Sequence, residues 1–137
     1  MQTRAPVDTD TTTFERTYPG WPEQIRHVRA DLTHVLTGSP VLDDALLVAS
    51  ELCTNAVVHS RSHRQAGRFT VRMDVRNHDY VWLEVQDEGG PWLDPGPDDR
   101  GHGLDIVAAL AGDGNWGVDG DTIGRVVWVR LDWKDPR

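Results

Sequence analysis

A single cysteine, Cys53, leaves no partner for an internal disulfide, which fits a reducing cytoplasm. Long apolar runs are missing too. The longest fall well short of the ~20 residues that a membrane-spanning helix needs. The opening MQTRAPVDTDTTT has no apolar segment of the secretory kind. Basic charge is scarce: 14 Lys and Arg stand against 22 Asp and Glu, for a net charge of −8. That balance argues against nucleic acid or an anionic membrane as the main partner. It still permits a small phosphate ligand, which backbone amides can hold locally. The remaining composition suits a soluble globular protein, and 137 residues suffice for one domain with a core.

Residues 1–12 are polar and aperiodic and read as a disordered lead-in, with one domain over residues 13–134. TFERTYP (13–19) alternates Phe14, Arg16 and Tyr18 and predicts a short edge strand ending at Pro19. Next, Pro22 and Glu23 suit a helix start and Gly38 a helix stop, with Ile25, Val28, Leu32, Val35 and Leu36 on one face. Ser39, Pro40, Asp43 and Asp44 suit the start of a second helix running to about His59.

Period-two patterns predict strands over 68–76, 80–87 and 124–132, with NHD (77–79) as the turn between the first two. NWGV (115–118) fits a further strand, joined through DGD (119–121) as a hairpin turn. One apolar and one polar face per strand implies an antiparallel sheet covered on one side. EGGPWLDPGPDDRGHG (88–103) is too long for an ordinary connection. It leads to a helix with Leu104, Val107, Ala108 and Ala111 on one face and Gly112 as its stop. The fold class is α+β.

Chemistry concentrates in three places. On the second helix, Leu42, Ala45, Leu46, Ala49, Cys53, Ala56 and Val57 form the face for the sheet. Glu51, Asn55 and His59 recur every fourth residue elsewhere on it. Glu51 and Asn55 are flanked by Leu47, Val48 and Val58, while Asp43, Ser50 and Thr54 form a narrow wet band. Such a stripe is either a surface helix with stray apolar residues or a pocket wall. As a wall, a carboxylate and an amide about 6 Å apart offer oxygens suited to Mg²⁺. Asp87 continues the core-facing row of Val81, Leu83 and Val85, so it needs either a donor partner or its own turn. Gly89 follows closely and would let a flat ligand approach. Gly101 and Gly103 precede a helix whose free amides can bind an anion. Together the three describe a site for an adenine nucleotide with Mg²⁺.

ELCTNAVVH, DEGGP and GHGLDIV resemble the N box and the two glycine boxes of the GHKL, or Bergerat-fold, ATP-binding superfamily. The short length resembles its anti-sigma factor serine kinase branch, especially the small actinobacterial type. The resemblance spans about residues 14–132. It implies a two-layer α/β sandwich, a mixed and mostly antiparallel sheet covered on one face by three helices, with residues 92–100 as a mobile ATP lid. It implies ATP and Mg²⁺ as cofactors and a regulatory protein partner, anti-anti-sigma-like or a sigma factor, with homodimerisation. Position by position, Asn55 would hold Mg²⁺ on the triphosphate and Glu51 would be the general base. Asp87 would accept from the adenine amino group, Gly89 would admit the base, and Gly101, His102, Gly103 and Leu104 would cradle the phosphates. Pro91 departs from the pattern where the last glycine of the first box stands, and so does His102 where Arg is frequent. Arg125 and Val126 follow Gly124 where relatives often place a small hydroxyl. A non-catalytic module that binds nucleotide or sequesters a partner is the alternative these departures support.

His59 and His63 are four apart but lack the further ligands that zinc needs. Trp82 and Trp128 fall on the polar face of the sheet, as shielding or as a docking surface.

Overall fold

The computed structural model describes residues 11–59, 67–88, 102–112, 114–120 and 124–133, the side chains of 59 and 102–104 excepted. Strand β1 (Thr11–Pro19) leads through a 3-10 turn (Pro22–Gln24) into helix α1 (Ile25–Val35) and then helix α2 (Leu42–His59). Strands β2 (Arg68–Arg76) and β3 (Tyr80–Asp87) follow, then helix α3 (His102–Ala111) and strands β4 (Trp116–Gly120) and β5 (Arg125–Asp132). The sheet runs β1-β2-β3-β5-β4, and its four pairings are all antiparallel. None of the described helices is long and apolar enough to cross a membrane.

Period two decides which side of the sheet is dry. Phe69, Val71, Met73 and Val75 on β2, Val81, Leu83 and Val85 on β3, and Val127, Val129 and Leu131 on β5 are buried. Side chains between them point to the outer face. Helix α2 covers this surface with Ala45, Ala49, Cys53, Ala56 and Val57, which are all buried. It also packs against α1 and α3. Burial therefore extends round α2 to Val48 and Leu52. Burial pushes the Cys53 thiol well above its ordinary pKa.

Element ends follow local chemistry. The predicted first helix opens as a 3-10 turn at Pro22, but its helical span ends at Val35, and Gly38 closes the turn that follows at φ +82°. Ser39 Oγ accepts from the Val41 amide at 3.2 Å, a turn that starts α2 two residues after Pro40. Gly112 stops α3 at φ +86°, and its amide donates to the Ala108 carbonyl. Strand boundaries move as well. Thr11 and Thr12, assigned to the lead-in, already pair with Arg76 and Val75. Asp119 and Gly120, assigned to a hairpin turn, pair with Val126 and Arg125 as strand, and the rest of that turn lies outside the described residues.

Tyr18 ties the edge strand to α1. Its ring stacks on Phe69 with centroids 5.5 Å apart. Its hydroxyl donates to Asp31 at 2.7 Å, and Arg16 reaches the same carboxylate at 2.8 Å. On the outer face Trp82 and Trp128 stack at 4.8 Å and 4°, and both are half-buried. Trp82 also donates to Glu84, at 2.8 Å. The pair shields itself and the strands beneath it.

Burial and the hydrogen bond to Asp31 push the Tyr18 phenol above its ordinary pKa. The folded state thus keeps protons that the unfolded chain loses above its ordinary thiol and phenol values, so stability falls as pH rises through that range. Tyr18→Phe should lower stability at neutral pH by about 1 kcal/mol. It should also flatten the decline between about pH 8 and pH 11, followed by denaturant midpoints across that range. At Gly117, an added Cβ would lie 2.8 Å from Trp128 Nε1. Gly117→Ala should therefore cost about 1–3 kcal/mol and reduce the near-ultraviolet dichroism of the stacked pair.

Candidate functional site

The uncovered side of α2 is a stripe. Leu47 and Val58 are 41% and 49% exposed, and Glu51 and Asn55 between them are half-buried. These positions are spaced as one helical face. The two apolar residues thus flank a carboxylate and an amide on a surface that neither the sheet nor α1 covers. Ser50, expected in the wet band, instead faces α1: Arg29 Nη1 donates to its hydroxyl at 2.7 Å. Its own hydroxyl donates to the Leu46 carbonyl at 2.8 Å. That contact fixes the rotation of α2 and turns the Glu51–Asn55 stripe away from α1.

Asp87 closes β3. Its row continues Val81, Leu83 and Val85 inward, and it is 5% exposed. It is the one buried charged side chain among the described residues. A carboxylate in that position is costly to bury without donors. Helix α2 packs against β3 and against α3. The helix that carries the stripe is thus a neighbour of both the strand that ends at Asp87 and the helix that starts at His102.

Helix α3 begins at His102, two residues before the predicted Leu104. His102, Gly103 and Leu104 occupy its first turn, where amides lack intrahelical partners and the dipole is positive. Val107 is buried against the core, with Leu110 and Ala111 packed beside it. At the far end Asn115 Nδ2 donates to the Ala111 carbonyl at 2.9 Å. Gly89, Pro91, Gly101, His63 and the expected lid at 92–100 lie outside the described residues.

The donor set suits a hard cation only in part. Glu51 and Asn55 offer oxygens on adjacent turns, and no group of three or more His, Cys, Asp or Glu among the described residues could hold a metal. Two oxygens on adjacent turns match the one or two protein ligands that Mg²⁺ commonly takes, the rest of its shell being water and phosphate oxygens.

The sequence marks Arg125 only as a departure after Gly124, with no role for its side chain. Strand register sets it directly opposite Asp87, on the inner face. The signal was available in the parity of β5, where Arg125 precedes Val127, Val129 and Leu131 in the same row.

A family model described as histidine kinase-like ATPase domain matches residues 18–131. Among solved structures, the chain is similar to the RsbU and RsbW domains of Rv1364c from Mycobacterium tuberculosis, with a TM-score of 0.72 and 21% identity. The match covers 91% of this chain and 33% of that one, so this chain spans about a third of its length. At that identity the likeness concerns the fold. No curated protein matches.

Proposed function

The chain belongs to the histidine kinase-like ATPase domain family, and from that premise we propose that it is an Mg-ATP-dependent regulatory serine/threonine kinase. Its substrate would be a small partner protein of the anti-anti-sigma type, and it would act as an anti-sigma factor. Family membership implies ATP binding. The observation that supports a nucleotide site in this chain is the buried Asp87 carboxylate, at the end of a core-facing row and 5% exposed. A purine amino group is a donor of the right kind for it.

In this reading Asp87 accepts from the adenine amino group, and Gly89 lets the base lie against the backbone. The first-turn amides of α3, with Gly101, His102, Gly103 and Leu104, hold the phosphates at the positive end of the helix. Asn55 presents its side-chain oxygen to Mg²⁺. Bound there, the ion offsets charge on the triphosphate. Glu51, one turn earlier on the same stripe, would accept the proton of the serine hydroxyl as its oxygen bonds the γ-phosphorus and the bond to the bridging oxygen breaks, releasing ADP. Phosphoryl transfer asks mainly for position and charge stabilisation, and these groups supply both.

The departures at Pro91, His102 and Val126 favour a second reading, a module that binds nucleotide and sequesters a partner without chemistry. Transfer assays separate the two. Labelled phosphate appearing on the partner supports the kinase. Nucleotide binding with no transfer, partner present, leaves the sequestering module.

Mg-ATP at about 100 times its dissociation constant should stabilise the fold by about 2.7 kcal/mol, read from thermal unfolding. Asp87→Asn should lose most of that gain. An unchanged melting temperature in wild-type protein would reject the nucleotide site. Glu51→Ala should keep ATP binding and lower transfer by roughly 10²–10⁴-fold. Undiminished phosphorylation by that variant would remove Glu51 from the chemistry.

A further inference from the structure

Arg125 stands where the base of the proposed nucleotide would be read. It is the cross-strand partner of Asp87 in the β3–β5 register. Directly opposed residues of an antiparallel pair carry Cβ atoms about 4.5–5.5 Å apart on one face. That face is the inner one, because Val85 and Val127, two positions along and on the same face, are both buried. Arg125 is half-buried and its Nη1 atom is fully buried, so the guanidinium turns into the protein. On the other side of Arg125 the register partner is Gly120, which has no side chain to fill the row. The inner end of the sheet thus sets an acceptor-only carboxylate beside a donor-only guanidinium.

This pairing changes what the site can recognise. A carboxylate alone takes the amino group of adenine and repels the O6 acceptor of guanine. A guanidinium within reach removes that repulsion, since Arg donates well to O6 and N7 of guanine. Guanine also presents N1–H and amino donors next to O6, on the side where a carboxylate can accept both. We infer that Arg125 is a base-specificity residue and that, with Asp87, it makes this site accept guanine nucleotides alongside adenine nucleotides. The inference rests on the nucleotide-site reading of Asp87 given above.

Calorimetric titration of the whole chain with Mg-ATP and Mg-GTP tests it. Wild-type protein should bind GTP within about tenfold of ATP. Arg125→Thr should shift the GTP-to-ATP affinity ratio toward ATP by on the order of tenfold or more. Arg125→Lys keeps the charge but loses the planar fork, and should shift the ratio in the same direction. Thermal unfolding of each variant reports that it is folded, and the wild-type ratio stands as a test without either variant. ATP binding in wild-type protein with GTP more than about a hundredfold weaker would overturn the inference while leaving the nucleotide site intact. So would an unshifted ratio in Arg125→Thr. Binding of neither nucleotide would remove the site itself, and the role of Arg125 with it.

Discussion

Val71, Met73, Val81, Leu83, Val127 and Val129 present one continuous apolar surface, each with no exposure or nearly none. Keeping water from that surface is the constraint on which the remaining structure depends. Helix α2 meets it with a face of small residues, Ala45, Ala49, Cys53 and Ala56, that lets the helix lie close to the strands. With α1 and α3 also packed on α2, its exposed side chains reduce to Asp43, Leu47, Thr54 and Val58 among the described ones. Glu51 and Asn55, half-buried, lie between Leu47 and Val58. Their partial exposure follows from the cover that the sheet requires, because the same rotation that buries Cys53 presents the stripe.

The rotation is held from the side as well as from below. Arg29 reaches across from α1 to Ser50 and the Leu46 carbonyl, at 2.7 and 3.3 Å. Tyr18 and Arg16 tie β1 to α1 through Asp31. A chain of polar contacts thus runs from the sheet edge through α1 to the middle of α2. Exposed pairs of this kind contribute modestly to stability. Their geometric effect is larger, since a turn of α2 by one residue would carry Glu51 off the open side.

The outer face of the sheet shows a different solution to the same problem. None of the described helices covers it, and its aromatic residues pair with one another and with cations. Trp82 stacks on Trp128, and Arg130 lies 4.3 Å from the Tyr80 ring centroid while bonding Asp132 at 2.9 Å. Each large side chain there covers a neighbour and keeps a polar edge in water. The two faces therefore divide the work: one excludes water to make the core, and the other tolerates it. Asp87 and Arg125 sit where the excluded face runs out, and there charge and burial meet.

Local pattern was enough for the elements, their order and the sidedness of the sheet. Alternation along 68–76 and 80–87 fixed which residues point inward, because a strand has no other way to dispose successive side chains. Helical spacing likewise singled out the Glu51–Asn55 stripe, and parity placed Asp87 at the end of a core-facing row. The three boxes, ELCTNAVVH, DEGGP and GHGLDIV, carried the family. Strand register was beyond reach, since it is set by pairing between segments far apart in the chain. Register alone put Arg125 opposite Asp87, about 38 residues away in sequence. Packing alone decided that Ser50 faces Arg29 instead of water and that β4 runs on through Gly120. A sequence states what each side chain prefers. The fold decides which neighbour it receives.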